Sequence, residues 1–378
     1  MCVTIVTICN ETIHNFVISK SSIMKKVFLY FLLLAASNIW SQNLIDTGTL
    51  IQGGVDDGSK LVEAYINPLN KAIVFGLSDV TYTKIKKKQK RRLLLSVKLA
   101  YIGIPKEDWT YDVTSIGLKH FEPKDYDQKI AQTIFGDSLK TITLVSKEKD
   151  VLGRPLIEFD TPAGSQKSGM PLPYVGATYR LKYTNLSFNL IPYITIPDSD
   201  FKVGMIGIGV QQDFALFIKS LQDKAYGLSV QASGNYLYGR SDLDIRPGKI
   251  YTPVGISGNL NGPYDNQEIK IAYTSFNIAA YIDYNLTDHF SAYAGAGINT
   301  GSAHIMLKGT YPVYAADPTG TGAVVADDIY DPLDIYNTFS RSKLELGLRG
   351  DWDRFYAQIG YNAATYGGLS VNLGYKML

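Results

Sequence analysis

The sequence predicts an all-β protein: a transmembrane antiparallel β-barrel of 12–14 strands with a short N-terminal helix. Three observations lead to this prediction. A secretory signal lies near the start, long strands alternate apolar and polar residues strictly, and no later apolar run reaches the roughly 18 residues of a transmembrane helix. In an outer-membrane barrel the apolar face of each strand meets lipid and the polar face meets the lumen. An edge strand of a soluble sandwich shows the same alternation, so no single strand decides between the two folds.

Residues 24–41, MKKVFLYFLLLAASNIWS, have the three parts of a secretory signal peptide. Two lysines precede an apolar run, and small residues follow it, with cleavage expected after Ser37 or Ser41. The apolar run of about ten residues is short for a transmembrane anchor. Because residues 1–23 precede a complete signal, we interpret them as a mis-assigned N-terminal extension, with Met24 as the true start.

Composition excludes several classes of protein. The chain has 378 residues, 46% hydrophobic and 12% aromatic, with 27 tyrosines, which suits the interfacial girdles of a barrel. Both cysteines, Cys2 and Cys9, precede the signal, so we expect no disulfide and no lipid-anchoring cysteine in the mature chain. Removing residues 1–41 deletes three lysines and one glutamate and changes the net charge from +2 to zero. A chain with zero net charge has no overall positive electrostatic potential that would attract nucleic acid.

Residues 42–70 predict a helical plug segment, and residues 71–378 are expected to form the barrel. Between Ser59 and Asn67 apolar residues recur at helical spacing, and acidic residues lie near the start of the segment. Pro68 is expected to end the helix.

Strands of about ten residues, the length that crosses a bilayer at a tilt, follow from residue 72 onward. Residues 139–146 and 154–160 would raise the total from twelve to fourteen. The twelve predicted spans are 72–83, 91–104, 111–122, 174–183, 187–196, 201–212, 225–239, 269–286, 290–308, 342–351, 355–364 and 367–378.

The last strand, within residues 366–378, is expected to close the barrel on the first strand. Its apolar residues share one face: Leu369, Val371, Leu373, Tyr375 and Met377. If the first strand runs outward, the long connections near 123–173, 240–268 and 309–341 all lie at the outer end. Outer-membrane barrels carry their long loops at that end.

Several short motifs carry a resemblance to a known kind of protein. They are a Tyr-x-x-Pro step at 65–68, Met-Pro-x-Pro at 170–173, a strand with Gly-x-Gly-Val at 207–210, and Asp213 with Phe214 in the predicted helical segment after it. Together with the lysine-led signal, they resemble a family of uncharacterised outer-membrane barrels from Gram-negative bacteria. The plan of a helix before a barrel is also similar, in architecture alone, to long-chain fatty-acid transporters.

The resemblance implies an outer-membrane location, with membrane lipid, lipopolysaccharide and the outer-membrane assembly machinery as partners. Barrels of this kind usually end in an aromatic residue that the machinery reads. Here Leu378 is last and Tyr375 lies three residues earlier.

The segment KIKKKQKRR has seven basic residues in nine and lies in the first predicted hairpin, at the outer end. We hypothesise that its cations contact lipopolysaccharide phosphates; a solvated turn is the equal alternative. Nucleic acid is not expected, since no aromatic platform lies beside the run. The proposed contact residues are Lys84, Lys86, Lys87, Lys88, Lys90, Arg91 and Arg92.

The polar faces of the strands predict charged residues inside the barrel. Mixed charge there suits either a narrow polar channel or a salt-bridged plug. The predicted lumen-facing residues are Lys98, Arg180, Lys182, Asp283, Lys343, Glu345 and Arg349.

Other candidate sites are weaker. The acidic loop 309–341 is interpreted as solvated because its spacing matches no calcium loop. His289 and Ser291 share a strand face and could serve a phospholipase, but no third partner is identifiable. We therefore expect no catalytic residue, no metal and no cofactor.

The sequence favours a channel or transporter for small molecules, hydrophobic ones included, gated by the N-terminal helix. The alternative is a non-conducting structural or surface-interaction barrel that acts through its long extracellular loops. An outer-membrane phospholipase is a distant third possibility.

Overall fold

The computed structural model describes most of the chain from residue 55 onward. The described residues are 55–78, 82–84, 92–149, 152–155, 157–196, 199–214, 217–218, 226–245, 262, 264, 266–316 and 323–377. The elements are α1 (Val55–Gly76), β1 (Leu93–Gly103), β2 (Thr110–Asp112), β3 (Phe121–Pro123), β4 (Ile130–Gln132), β5 (Thr143–Ser146), β6 (Glu158–Asp160), β7 (Gly169–Arg180), β8 (Thr184–Thr195), β9 (Lys202–Asp213), β10 (Tyr226–Asp242), β11 (Glu268–Asn285), β12 (Phe290–Lys308), β13 (Thr310–Ala316), β14 (Ala323–Tyr330), β15 (Leu333–Asp351), β16 (Phe355–Ala363) and β17 (Gly368–Met377), with a 3₁₀ turn at Lys106–Trp109.

Ten of these strands form one closed antiparallel barrel in the order β1-β7-β8-β9-β10-β11-β12-β15-β16-β17. The last strand pairs with the first from Leu93↔Met377 to Ile102↔Gly368, so the predicted closure by the C-terminal strand is confirmed. The all-β barrel with one N-terminal helix is likewise confirmed.

The predicted number of 12–14 strands is wrong, because residues before and after β1 do not join the wall. Residues 72–76 end the helix, and residues 77, 78 and 82–84 lie in the lumen. The predicted spans 111–122, 139–146 and 154–160 fall in the excursion between β1 and β7, whose strands have only three or four residues.

The prediction that the helix ends at Pro68 is also wrong, since α1 continues to Gly76. A proline inside a helix removes one hydrogen bond and costs about 3 kcal/mol. Pro68 and every later residue of α1 except Lys71 are buried, and α1 contacts β1, β7, β11, β12 and β15. This packing against several strands therefore outweighs the local cost. Among the described residues, no helix is long and apolar enough to cross a membrane.

The two ends of the barrel differ in their connections. One end has the short turns 181–183, 286–289 and 352–354, and the other has the excursions 104–168 and 309–332. Short turns are periplasmic and long loops extracellular in such barrels, so we name the two ends accordingly. The predicted clustering of long connections at one end is confirmed.

The apolar face changes sides along the longest strands. On β11 the apolar side chains of Ile269, Ile271 and Tyr273 point inward, whereas those of Phe276 to Leu286 point outward. From Phe276 to Leu286, ten steps of about 3.4 Å on a strand tilted by about 40° span about 26 Å, close to the ~25 Å apolar band of known barrels. Beyond Phe276 the strand leaves the membrane and its apolar face covers the helix instead.

Candidate functional site in the barrel lumen

The extracellular half of the interior is filled by α1. Its side chains pack against the inward-facing residues of the wall, and a cavity of about 20 Å³ lies between Val62, Ile66 and Leu69 and strands β11, β12 and β15. The helix ends close to β1, where a Cβ on Gly76 would lie 2.8 Å from the side chain of Ile102. We call this region the apolar half.

The excursion 104–168, which we call the extracellular cap, is anchored on the start of α1. The buried carboxylate of Asp57 accepts hydrogen bonds from the backbone N–H groups of Lys119, His120 and Phe121, at 2.8, 2.7 and 3.2 Å. About two turns later, the Ile134 N–H donates to the Tyr65 carbonyl at 3.0 Å. The cap and the helix therefore share one core at the extracellular mouth.

The periplasmic half of the interior is polar, and Glu345 forms its first cluster. The Glu345 carboxylate accepts hydrogen bonds from the hydroxyls of Tyr281 at 2.9 Å and Tyr293 at 3.2 Å, and Lys343 lies 3.4 Å away. Gln358 donates to the Tyr293 hydroxyl at 3.1 Å. The wall groups thus satisfy a charge that water does not reach, as a buried carboxylate requires.

Arg349 forms the second cluster and is fully buried. Its Nε lies 2.8 Å from Asp351, its guanidinium also donates to Gln358 at 3.2 Å, and its Cζ lies 4.0 Å from the centre of the Tyr356 ring. Lys376 of the closing strand approaches Asp351 at 2.9 Å. This cluster ties β15, β16 and β17 together from the inside.

Residues 77, 78 and 82–84, which we call the strap, thread through the polar half. Tyr82 stacks on Tyr293 with 4.3 Å between ring centres. Lys343 donates to the Ser78 carbonyl at 3.4 Å, and Lys84 lies 3.9 Å from Asp283. The strap is a segment of the same polypeptide that lies inside the barrel and is not part of the sheet. Its polar contacts reach several strands of the wall.

The structure places six of the seven predicted lumen-facing residues inside the barrel. Lys98 donates to Asn189 at 3.0 Å, and Arg180 donates to the carbonyl of Lys84 at 3.2 Å. Lys182 is different, because β7 ends at Arg180 and Lys182 is exposed in the following turn. The prediction for Lys182 is wrong, since alternation ends with the strand.

The lipopolysaccharide hypothesis for the basic run fails at Lys84, which is buried in the lumen. Its premise is also wrong among the described residues, where no strand precedes the run and where β1, which follows it, begins at the periplasmic end. Arg92 is exposed at that end. The other members of the run, Lys86, Lys87, Lys88, Lys90 and Arg91, lie outside the described residues.

Sequence reasoning missed the polar partners of the predicted charges. Tyr281, Tyr293 and Asp351 lie at inward positions by the same alternation that identified Asp283 and Arg349. Alternation along each strand could therefore have identified these three residues as inward-facing. Which side chains pair with one another depends on the register across three strands, which alternation does not give.

The weaker candidates are not assembled into a site. His289 is exposed in a turn, with Nδ1 3.1 Å from the Asp351 carbonyl, whereas Ser291 is buried. In the acidic loop, Asp331 pairs with Lys308 at 3.0 Å and Asp334 with His304 at 2.7 Å. Within the described ranges no group of three His, Cys, Asp or Glu side chains could hold a metal.

A closed barrel with an apolar outward band of membrane height, and with polar side chains lining one half of its interior, defines an outer-membrane protein. The chain belongs to a family of unknown function, DUF6588, whose family model matches residues 24–377. The predicted membership in an uncharacterised outer-membrane barrel family is thereby confirmed. No curated protein matches the chain.

Several solved barrels are distantly similar. The translocator domain of the autotransporter NalP from Neisseria meningitidis is 11% identical, with 84% of this chain and 98% of that chain covered and a TM-score of 0.32. The attachment invasion locus protein Ail of Yersinia pestis is 8% identical over 76% and 99%, with a TM-score of 0.24. The outer membrane protease OmpT from Escherichia coli is 7% identical over 78% and 99%, with a TM-score of 0.28. At these values the likeness carries no functional argument.

Proposed function

We propose that the protein is an outer-membrane transport barrel for small molecules, hydrophobic ones included, whose lumen is closed by α1 and the strap. One observation carries the proposal: the wall is closed by ten strands without any contribution from α1 or the strap. The helix and the strap can therefore move without breaking a backbone hydrogen bond between neighbouring strands of the wall.

The size of the barrel supports this assignment. Eight strands leave an interior that side chains alone fill, whereas additional strands leave room for a ligand or a plug. Here the extra room is taken by one helix and one strap, and the wall around the strap is lined by polar side chains. Displacing the strap would join the polar half to the periplasm.

Two wall asparagines also support a polar path. Asn277 and Asn299 oppose one another on β11 and β12, and both are fully buried. Their side-chain amides have no hydrogen-bond partner among the described residues. A buried amide without a partner is costly, so this level of the wall suits contact with water or a polar solute when the strap moves.

A non-conducting surface-interaction barrel is the second candidate, and the shared core of cap and helix favours it. That core makes the extracellular end one packed body. We propose no catalytic role.

Cysteine locking tests the transport proposal, since the described residues contain no native cysteine. The hydroxyls of Ser78 on the strap and Ser275 on β11 are in contact. In planar bilayers we expect reduced S78C/S275C to open as often as wild type and the oxidised protein to stay silent.

A matched control is T274C/S302C, whose wild-type hydroxyls lie 2.7 Å apart on two wall strands. Oxidation of this pair should leave openings unchanged. If wild type and both reduced variants never conduct under any voltage, the transport proposal fails and the surface-interaction barrel stands.

A further inference from the structure

We propose that the outer wall of β8–β12 binds a phosphorylated glycolipid of the outer leaflet, of the lipid A class. Its phosphates would contact a row of three cations, and an acyl chain would lie in the groove beneath them. The site is on the lipid-facing side, separate from the lumen.

The cationic row comprises Lys202, Arg240 and Lys270. Arg240 lies directly opposite Lys202 on β9 and directly opposite Lys270 on β11. Adjacent strands are about 4.8 Å apart, so the three backbone positions span about 10 Å. Like charges placed opposite one another destabilise a sheet, so such a row indicates an anionic partner.

Acidic neighbours only partly neutralise the row. Glu268 lies 2.5 Å from Lys270. Lys202 and Arg240 form no ion pair with another described residue, and Asp242 lies one step further out, opposite Glu268. The row therefore keeps a net positive charge toward the membrane surface.

The row lies beyond the extracellular edge of the apolar band, on the side of the lipid headgroups. Tyr193 and Tyr238 stack beneath it with ring centres 6.4 Å apart, and Tyr238 lies opposite Ala272, four residues beyond Phe276. Tyrosine girdles mark the membrane boundary in barrels. Arg240 is two residues beyond Tyr238, which is about 5 Å higher on a strand tilted by about 40°.

An apolar groove of about 610 Å³ lies below the tyrosines on the same strands. Gly234 forms part of its floor, directly opposite Ile208 on one side and Phe276 on the other. A Cβ on Gly234 would meet no atom closer than 4.0 Å, so the missing side chain leaves real space. Exposed Phe188 and Tyr236 also line the groove. Its walls suit an acyl chain.

The opposite side of the barrel lacks this arrangement. The outward positions of β1, β7, β16 and β17 carry no Lys or Arg, because Lys98, Arg180 and Lys376 all point inward. The charge is thus confined to the strands that carry the groove, as a specific lipid site requires.

The test uses the full-length protein in detergent micelles with radiolabelled diphosphoryl lipid A as the probe. We expect K202Q/R240Q/K270Q to bind roughly a hundredfold more weakly than wild type, since each cation near an anionic lipid surface contributes roughly fivefold. The control K124Q/K129Q/K140Q removes three cap lysines and should bind as wild type. Heat-modified mobility on gels verifies that each barrel is folded.

A second variant tests the groove. Gly234→Leu should fill it and weaken lipid A binding by about three- to tenfold without touching a cation. An excess of inorganic phosphate should displace little lipid, because the acyl chain contributes to binding. Wild-type affinity in the folded triple variant, or in G234L, would overturn the proposal.

Discussion

The two halves of the barrel interior are closed by opposite kinds of chemistry. In the apolar half, α1 and the wall bury a continuous hydrophobic core, whereas in the polar half the strap crosses two clusters of buried charges. Apolar burial stabilises by about 25 cal/mol per Å², and exposing that surface to water loses all of it. Buried ions differ, because water that enters restores part of their hydration.

This difference indicates which half opens. Withdrawing α1 would expose a large apolar surface on both the helix and the wall. Moving the strap would instead let water reach Glu345, Lys343 and Asp283, whose burial is costly in the first place. We therefore assign the gate of the proposed transporter to the strap, and the anchor to α1.

The largest expected effect comes from Arg349 in the polar half. Arg349→Met removes one partner from a buried ion pair and leaves Asp351 and Gln358 with fewer contacts. Such a loss costs about 3–5 kcal/mol. Urea unfolding in detergent micelles, followed by tryptophan fluorescence, measures it. A loss below about 1 kcal/mol would mean that Lys376 alone satisfies Asp351.

In the apolar half, Leu61→Ala should cost about 3 kcal/mol, because Leu61 is fully buried in α1 and a cavity would remain. Because α1 is assigned as the anchor and the strap as the gate, Leu61→Ala should leave strap opening in bilayers unchanged. Leu139→Ala is the control, since Leu139 is almost fully exposed in the cap. Equal destabilisation by both alanine variants would contradict the packed core.

Asp57→Asn tests the joint between cap and helix. The amide can accept from fewer of the three backbone N–H groups that meet the carboxylate, and we expect a loss of about 1.5–3 kcal/mol. Hydrogen exchange should rise at residues 119–121. The neighbouring Asp56→Asn is the matched control, because Asp56 bonds only the exposed Lys119 side chain. Slow exchange in D57N would show that apolar contacts hold the cap alone.

The sequence predicts the barrel, its closing strand and most inward charges, because all three follow from the alternation of apolar and polar residues along a strand. The prediction fails where contacts with the rest of the fold bury residues that this alternation does not describe. Residues 72–83 read as a strand because the last helix residues, 72–76, are all apolar or glycine and all buried, so no polar position there reveals the helical period. The change of apolar face near Ser275 is visible in the sequence, but only the helix inside explains why the strand continues through it.

The site shows the same division. Alternation identifies Glu345 and Arg349, but it cannot pair them with Tyr293 or Lys376, because those contacts depend on register between distant strands. The cationic row on the outer wall has the same origin. Lys202, Arg240 and Lys270 are isolated in sequence and become neighbours only through pairing of β9, β10 and β11.

The smallest expected effect comes from an exposed ion pair, which sharpens the contrast with the buried Arg349 cluster. A hydrogen bond from the Gly309 N–H and the nearby Lys308 ammonium lower the pKa of Asp331 below its usual value of 3.8. A lowered pKa means that the contribution of Asp331 to stability is present above pH 4 and is lost as the pH falls through the folded-state value. Hydrogen exchange at the base of the β13–β14 hairpin should therefore quicken slightly below pH 4, once corrected for intrinsic rates. In D331N, where the amide tolerates the positive φ of 49°, this pH step should disappear; a step of the same size in the variant would assign the acid sensitivity to another group.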